Sequence, residues 1–322
     1  MSAGPVLDVR DLTVAIGAAQ VVDGVSLVIA PGETLALVGE SGCGKSLTAL
    51  GLIGLLPDVA VRTRGEIHFD GRDLASLPER EMTRLRGGRM SMIFQEPVAS
   101  LDPLMPVGRQ ITEALSFAGA RQDARSRAVE MLDRVGIPEP AMRFSQYPFE
   151  LSGGMCQRVM IAIAMIRNPA LLIADEPTTA LDVTIQAQIL RLMADLREET
   201  GAAVLLITHD MGVVAEVADR IAVMYAGRIV ETGPVGAVFR APRHPYTALL
   251  LKTIPRLTGA RKVALPAIEG TVPDIAHWPQ GCRFHPRCPL ASDRCRAEAP
   301  PLALKGDTAA ACWHSDRVEA MA

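Results

Sequence analysis

The segment Gly39–Ser46 constrains the fold of this chain more than any other feature. It reads Gly-Glu-Ser-Gly-Cys-Gly-Lys-Ser and matches the phosphate-loop pattern G-x-x-x-x-G-K-[ST]. That pattern requires a buried strand before the loop and a helix after it. Thr34–Val38 has the composition of such a strand, and Lys45–Leu56 is predicted as an apolar helix. The sequence therefore predicts a strand, loop and helix unit that binds the phosphates of a nucleotide.

Each residue type in this loop suits a chemical task. Glycines let the backbone curl so that its N–H groups point inward, Lys45 can meet the β- and γ-phosphates, and the Ser46 hydroxyl can bind Mg²⁺. Cys43 is interpreted as a small residue that contributes its backbone N–H group. The residues predicted to contact the nucleotide here are Gly39, Ser41, Gly42, Cys43, Gly44, Lys45, Ser46 and Leu47.

The rest of the chain alternates strand and helix patterns. Leu171–Ala174 and Val204–Ile207 are short apolar runs typical of buried strands. Between them, apolar residues recur at helical spacing before Gly201, which predicts a helix end there. This alternation predicts an α/β fold with a parallel sheet core and helices on its faces. The apolar positions of the intervening helix are Ile185, Ile189, Leu192 and Leu196.

Two further regions are predicted around this core. Val6–Val9 and Val25–Ile29 indicate a small antiparallel sheet, and Glu66–Gly71 indicates another hairpin strand. From about Ser76 the pattern becomes helical and charged up to Phe144, which predicts a helical subdomain at about 76–165. After residue 254 many prolines interrupt any long element, so we predict a nucleotide-binding domain over 1–257 and a small cysteine-containing C-terminal extension over 258–322.

Composition excludes several other classes. The longest apolar run near the middle, Val159–Ile166, is too short for a membrane span. The N terminus lacks a basic patch followed by an apolar segment, so no export signal is expected and the chain is expected to stay in the cytoplasm. The formal net charge of -3 argues against a strongly basic nucleic-acid binder, and no nucleic-acid partner is expected.

Asp175 and Glu176 follow the apolar run that starts at Leu171. A carboxylate at the end of a buried strand can reach the Mg²⁺ that Ser46 binds, and Glu176 is suited to orient or deprotonate an attacking water. Phosphoryl transfer needs such positioning and charge neutralisation more than covalent help. The two residues are therefore candidates for a metal ligand and a catalytic group.

The segment Leu151–Gln157 distinguishes among phosphate-loop families. It reads Leu-Ser-Gly-Gly-Met-Cys-Gln and resembles the LSGGQ signature of the ATP-binding cassette (ABC) ATPases, with longer spacing before the glutamine. Ser152 and the two glycines open a helix, so a hydroxyl, backbone N–H groups and the positive helix end can meet a γ-phosphate. The resemblance implies a cassette fold in which this segment acts on the nucleotide of a facing subunit. Its implied nucleotide contacts are Ser152, Gly153, Gly154 and Gln157.

The remaining motifs of the family occur in order. Gln95 resembles the Q-loop residue that touches Mg²⁺ and the attacking water and links to membrane subunits. Asp182, in Thr179–Asp182, resembles the D-loop residue, and His209 resembles the switch histidine that contacts the γ-phosphate. The resemblance thus implies that Asp182 contacts the nucleotide. Together with the acidic pair and the phosphate loop, these motifs give a set of catalytic residues and a set of Mg²⁺ ligands. The catalytic set is Glu176, His209 and Gln95, and the Mg²⁺ set is Ser46, Gln95 and Asp175.

One feature departs from the family pattern. The family usually stacks adenine on an aromatic residue before the phosphate loop, but no Phe, Tyr or Trp precedes Phe69. Ile16 occupies the corresponding position and offers apolar contact to the base instead. The choice between ATP and GTP therefore stays open at this point.

The type of ABC protein follows from architecture and local resemblance. The interval from Ser46 to Leu151 lacks the sustained heptads of a chromosome-maintenance ATPase, and a single phosphate loop argues against a two-cassette translation factor. Tyr147–Glu150, Met155–Ala162 and His244–Thr247 resemble the D-type ATPase subunits of dipeptide and oligopeptide importers.

That resemblance implies an ATPase peripheral to the cytoplasmic face of the cell membrane. It also implies a second, F-type ATPase subunit, two membrane permeases and an extracytoplasmic solute-binding protein as partners. An importer of nickel or another small solute, or a non-transport regulatory ATPase, is the alternative.

Four cysteines crowd the end of the chain. They match neither the C-x2-4-C pairs of structural zinc nor the C-x2-C runs of ferredoxins, and four unrelated reduced thiols are one interpretation of them. The family resemblance implies instead that they hold a [4Fe–4S] cluster, with Zn²⁺ as the alternative. The four residues are Cys282, Cys288, Cys295 and Cys312.

Overall fold

A computed structural model of the protein describes residues 4–116, 123–179, 181–254 and 267–318. The chain divides into two compact units. The phosphate-loop unit comprises Asp8–Val28, Thr34–His68 and Thr208–Ala322, and the signature unit comprises Met1–Leu7, Ile29–Glu33 and Phe69–Ile207. The predicted boundary near 258 lies outside the described residues.

The bounds of the elements are as follows. The strands are β1 (Leu7–Ile16), β2 (Ala19–Ile29), β3 (Thr34–Val38), β4 (Ala60–Phe69), β5 (Arg72–Asp73), β6 (Met90–Ile93), β7 (Leu171–Asp175), β8 (Ala203–Thr208), β9 (Arg220–Tyr225), β10 (Arg228–Pro234), β11 (Ala303–Lys305) and β12 (Thr308–Ala310). The α-helices are α1 (Lys45–Ile53), α2 (Glu79–Leu85), α3 (Pro97–Ser100), α4 (Val107–Ser116), α5 (Ala124–Arg134), α6 (Pro140–Arg143), α7 (Gly153–Met165), α8 (Val183–Thr200), α9 (Met211–Val217), α10 (Val235–Arg240), α11 (Pro245–Lys252) and α12 (Asp293–Ala297). Single 3₁₀ turns occupy Leu74–Ser76, Pro148–Glu150, Ile275–His277, His285–Arg287 and Ser315–Arg317.

The phosphate-loop unit is built around β3. This strand is buried throughout and pairs in parallel with β9, where Val38 lies opposite Val223. From β9 the sheet continues through antiparallel pairs to β10, β12 and β11. Residues of β12, close to the end of the chain, therefore share a sheet with the strand that leads into the phosphate loop.

The signature unit contains a second, parallel ladder. β6 pairs with β7, and β7 pairs with β8 along its whole length. Every residue of β7 and β8 is buried, as expected for parallel strands covered on both faces. α8 follows β7, buries Ile189, Leu192 and Leu196, and ends at Gly201, which takes a left-handed conformation. The predicted α/β pattern is confirmed here.

Among the other predicted elements, one pair of strands is confirmed and two helical predictions differ from the structure. The N-terminal strands are confirmed as β1 and β2, which a two-residue turn joins as an antiparallel hairpin. The region from 76 to 144, predicted to be helical, contains several helices and also the strand β6, because Met90–Ile93 is a short, mostly buried run that fits a parallel strand. The first helix ends three residues before its predicted end at Leu56, because Gly54 adopts a left-handed cap.

Within the described ranges, no helix combines the length and the apolar character that crossing a membrane requires.

Candidate functional site

The phosphate loop requires glycine at two tightly packed points. A Cβ atom added to Gly39 would lie 2.2 Å from the Met224 carbonyl oxygen, and one added to Gly44 would lie 2.9 Å from the Val21 carbonyl oxygen. Gly44 also has φ of 105°, which side-chain-bearing residues rarely adopt. The backbone can curl against β9 only because these side chains are absent.

Lys45 is folded inside this loop. The residue is only 5% exposed, and its Nζ donates to the carbonyl oxygens of Gly39 at 2.8 Å and Glu40 at 3.1 Å. An ammonium group has three donors and no acceptor, so a phosphate oxygen could exchange with these carbonyls as its partner. The lysine charge is thus held where the motif places the phosphates.

The other predicted contacts of the loop differ in exposure. Ser41 and Gly42 are exposed, while Ser46 and Leu47 are half-buried. The Cys43 side chain is buried, and burial raises the pKa of its thiol, so only its backbone could serve a nucleotide. Ile16, the predicted base contact, lies 36% exposed at the end of β1.

The structure brings two of the predicted catalytic residues together in the signature unit. Glu176 directly follows β7, and its Oε2 accepts hydrogen bonds from Gln95 Nε2 at 3.2 Å and Thr179 Oγ1 at 2.8 Å. Its backbone N–H donates to the Ile207 carbonyl at 2.9 Å, across the neighbouring strand β8. Asp175, the last residue of β7, is buried. The acidic pair is therefore fixed at the end of a parallel strand.

Glu176 also has an unusual backbone. Its φ is +47°, in the left-handed region that is uncommon for residues other than glycine. Such a conformation costs about 1–3 kcal/mol and persists only where the surroundings enforce it, which occurs often at functional sites. The hydroxyl of Thr179 was not predicted as a contact, although a hydroxyl three residues after a carboxylate in a turn is a recognisable signal.

The signature segment presents an exposed helix start. Ser152 is the N-cap of α7, and its Oγ accepts a hydrogen bond from the Met155 N–H at 3.3 Å. Both Ser152 and Gly153 are exposed, and Gly154 is half-buried. The positive end of this 13-residue helix therefore faces outward with a hydroxyl beside it.

Gln157 does not share this placement. It is 1% exposed and belongs to the buried residues of α7, whereas Ser152 and Gly153 are exposed. Its assignment as a nucleotide contact is therefore not supported by its position.

Asp182 and His209 occupy exposed element ends. Asp182 is the N-cap of α8 and accepts a hydrogen bond from the Ile185 N–H at 3.0 Å, while Ala180 in the same motif lies outside the described residues. His209 follows β8 and is exposed, and its neighbour Asp210 caps α9. Each motif thus lies at the end of a strand or the start of a helix.

The predicted metal site on the four C-terminal cysteines is not supported. Across the described ranges, which include all four, no group of three or more His, Cys, Asp or Glu side chains could hold a metal ion. Burial raises the pKa of Cys288 to about 11 and that of Cys312 to about 12, and it also raises the pKa of Cys282. Neighbouring thiols add to each of these three shifts, so the side chains are close enough to interact electrostatically. The four cysteines are nevertheless not arranged as a group that could hold a metal ion.

Two family models match the chain. The model described as ABC transporter matches residues 22–179, which include the phosphate loop, the signature segment and Glu176. The model described as oligopeptide/dipeptide transporter, C-terminal region, matches residues 230–295.

Individual proteins match over a greater length. A Sinorhizobium fredii protein named "Probable peptide ABC transporter ATP-binding protein" is 50% identical over 320 residues, 97% of this chain and 96% of that protein. The oligopeptide transport ATP-binding protein OppD of Bacillus subtilis is 50% identical over 309 residues, 94% of this chain and 86% of that protein. Among solved structures, a dimeric bacterial ABC transporter cassette has a TM-score of 0.62 and 32% identity, and it covers 71% of this chain and 98% of its own. A dimeric cassette in a post-hydrolysis state with ADP and Pi has a TM-score of 0.63 and 29% identity, with the same coverage.

Proposed function

The chain belongs to the ATP-binding proteins of peptide ABC transporters, and on that premise we propose that it hydrolyses ATP to drive peptide import. The match of residues 230–295 to an oligopeptide/dipeptide transporter region supports peptides rather than nickel or another small solute as the cargo. Relatives that match nearly the whole chain are named for peptide transport, which favours the same choice.

The phosphate loop is the observation that carries the ATPase assignment. The Gly39 and Gly44 backbones approach β9 and β2 too closely for any side chain, and the buried Lys45 ammonium group lies on the carbonyls of the loop. This cradle suits a polyanion, and in the proposed site Ser46 would supply a hydroxyl ligand to Mg²⁺. When bound, Mg²⁺ would neutralise charge on the phosphates.

We assign the remaining roles by chemistry. Asp175 and Gln95 offer oxygen atoms, the ligand type that Mg²⁺ prefers. Glu176 would orient the attacking water and accept its proton, and its contacts with Gln95 and Thr179 hold the carboxylate in one position. His209 would contact the γ-phosphate as a donor. Ile16 would contact the base.

A second subunit completes the proposed site. The exposed start of α7, with Ser152, Gly153 and Gly154, would contact the nucleotide held by a facing ATPase subunit, and Asp182 would lie at the same junction. We propose a related F-type chain as that partner and two permeases above the pair. The chain would then lie at the cytoplasmic face of the membrane and receive peptide from an external binding protein only indirectly.

Substitution of Glu176 tests the function. In the assembled transporter, Glu176→Gln should retain ATP binding and lower the rate of ATP hydrolysis by about 100-fold or more, because the proton acceptor and the charge are lost while the shape is kept. Glu198→Gln, on the exposed face of α8, is the matched control and should leave the rate unchanged. Uptake of a labelled oligopeptide into proteoliposomes should fall in parallel with hydrolysis.

Two results would count against this proposal. Undiminished hydrolysis by Glu176→Gln would remove this residue from the reaction. Uptake of Ni²⁺ but not of peptides by a wild-type transporter that hydrolyses ATP would leave the ATPase assignment standing and would contradict peptides as the transported solute.

A further inference from the structure

Glu40 lies inside the phosphate loop, where its backbone and its side chain both form hydrogen bonds. Its backbone N–H donates to the Tyr246 hydroxyl oxygen at 2.9 Å, and its carbonyl accepts from Lys45 Nζ at 3.1 Å. Its carboxylate accepts two hydrogen bonds from the Arg287 guanidinium, at 2.7 and 3.0 Å. The N–H, the carbonyl and the carboxylate of this one residue are thus all engaged.

Arg287 is shaped for this contact. Its side chain is only 4% exposed, and its guanidinium forms a two-pronged pair with the carboxylate. Nε donates to the Glu269 carbonyl at 2.9 Å. Nη2 also lies within hydrogen-bond distance of the Ile268 and Gly270 carbonyls, each at 3.3 Å, and Nη1 of the Tyr225 hydroxyl at 3.5 Å. All five N–H donors of a guanidinium can therefore be engaged, which a lysine could not reproduce.

Tyr246 is equally fixed. Its ring is fully buried, with its centroid 4.7 Å from that of Tyr225 and 5.4 Å from that of Phe284. The chain just before it is anchored by Glu231, a buried carboxylate that accepts the backbone N–H groups of Arg243 at 2.6 Å and His244 at 2.9 Å. Tyr246 and Arg287 are thus both held in place by their own surroundings.

We propose that Tyr246 and Arg287 are positioning residues for nucleotide binding, which they favour by fixing and neutralising Glu40 in the phosphate loop. The inference rests on the proposed ATPase function and extends it to the C-terminal region, since Arg287 lies 247 residues from Glu40. The C-terminal region would then contribute directly to nucleotide affinity.

Two physical effects act in the same direction. Without Arg287, an unneutralised carboxylate would lie in a loop that must accept a triphosphate, and the like charges would repel. The loop would also lose the contact that fixes Glu40, whose carbonyl helps to hold Lys45. Nucleotide binding would then have to order the loop, and the entropy lost in doing so would lower the affinity. Tyr246 contributes only to the second effect.

Calorimetric titration of the full-length chain with Mg·ATP tests the proposal. Arg287→Gln should bind about tenfold more weakly, a typical coupling between linked groups. Arg296→Gln, an exposed arginine of the same C-terminal region, is the matched control and should bind as wild type does. The double variant Glu40→Gln/Arg287→Gln should regain part of the affinity, because it removes the stranded charge although the contact that fixes residue 40 stays lost. A merely structural role for Arg287 predicts no such rescue.

The outcomes are distinct. Wild-type affinity in a folded Arg287→Gln chain, or a double variant as weak as the single one, would overturn the inference and leave the ATPase function intact. A wild-type chain that binds no ATP would contradict both. If Arg287→Gln does not fold, Tyr246→Phe removes only the hydroxyl and should weaken binding about threefold, the loss of one hydrogen bond. Unchanged affinity in that variant would also overturn the inference.

Discussion

The N termini of α1 and α7 both carry the positive end of a helix dipole, but they differ in their exposure. The N terminus of α1 is enclosed, with Gly44 and Lys45 buried and the lysine turned onto the loop that precedes it. The N terminus of α7 is open, with Ser152 and Gly153 exposed. Neither helix has an acidic residue in its first turn. An enclosed end can form a pocket in its own unit, whereas an open end can act only on something brought to it.

The caps differ in the same sense. No side chain caps α1, whose preceding residue Gly44 takes φ of 105°, so the first N–H groups of the helix meet no competing hydroxyl or carboxylate. In α7, Ser152 itself caps the helix through the Met155 N–H. Ser152 therefore combines a structural and a proposed functional role, and substitutions can separate the two.

The largest expected effect concerns the enclosed end. Lys45→Ala should weaken Mg·ATP binding by the isolated chain about 100-fold, since a charged donor to the phosphates is lost. Lys252→Ala, an exposed lysine at the end of α11, should bind normally. Equilibrium titration with a fluorescent ATP analogue would measure both. Near-normal affinity in Lys45→Ala would show that the enclosed end is not the phosphate site.

A smaller and different effect is expected at the open end. Ser152→Ala should leave ATP binding by the isolated chain unchanged, lower hydrolysis by the assembled transporter about tenfold, and cost about 1 kcal/mol in free energy of unfolding through the lost cap. Ser152→Asp restores a cap but adds a negative charge, so it should recover stability without recovering hydrolysis. If Ser152→Asp restored both, Ser152 would act only as a cap.

The third expected effect concerns the support of the enclosed end, and it is an effect on stability rather than on nucleotide binding or hydrolysis. His244 caps α11, which carries Tyr246, through an acceptor nitrogen, and burial lowers the pKa of His244 to about 3. Between pH 6.5 and 3 the unfolded chain therefore binds a proton that the folded chain does not, and this residue should remove up to about 1.4 kcal/mol of stability per pH unit as the pH falls. Above pH 6.5 the contribution is constant.

The measurement is urea unfolding at pH 7.5 and pH 5. His244→Asn retains an acceptor for the Tyr246 N–H but cannot titrate, so its stability should fall less between the two pH values than that of wild type. Equal losses in the two proteins would exclude His244 as a source of the pH dependence.

The sequence predicted the features that depend on local pattern. β3, the phosphate loop, the start of α1 and the Gly201 end of α8 each follow from neighbouring residues, through apolar runs and glycine conformations. β6 was missed because four residues inside a charged, helical stretch give too weak a pattern, and only pairing with β7 specifies them as a strand.

Long-range polar contacts could not be predicted in this way. The contacts of Glu40 with Tyr246 and Arg287 join residues 206 and 247 positions apart, and no periodicity marks them. Likewise, the left-handed backbone of Glu176 is imposed by its tertiary surroundings. The four C-terminal cysteines show the opposite case. They lie near one another in the sequence, but they are not arranged as metal ligands in the structure.

Vanadate trapping tests the contrast between the two helix ends most directly. Vanadate with Mg·ADP replaces the γ-phosphate, and ultraviolet light then cleaves backbone next to it. In the transporter assembled with its second ATPase subunit, we expect cleavage of this chain both within Gly39–Ser46 and within Ser152–Gly154. In the isolated chain we expect cleavage within Gly39–Ser46 alone. Cleavage confined to Gly39–Ser46 in the assembled transporter would show that the exposed start of α7 does not contact nucleotide.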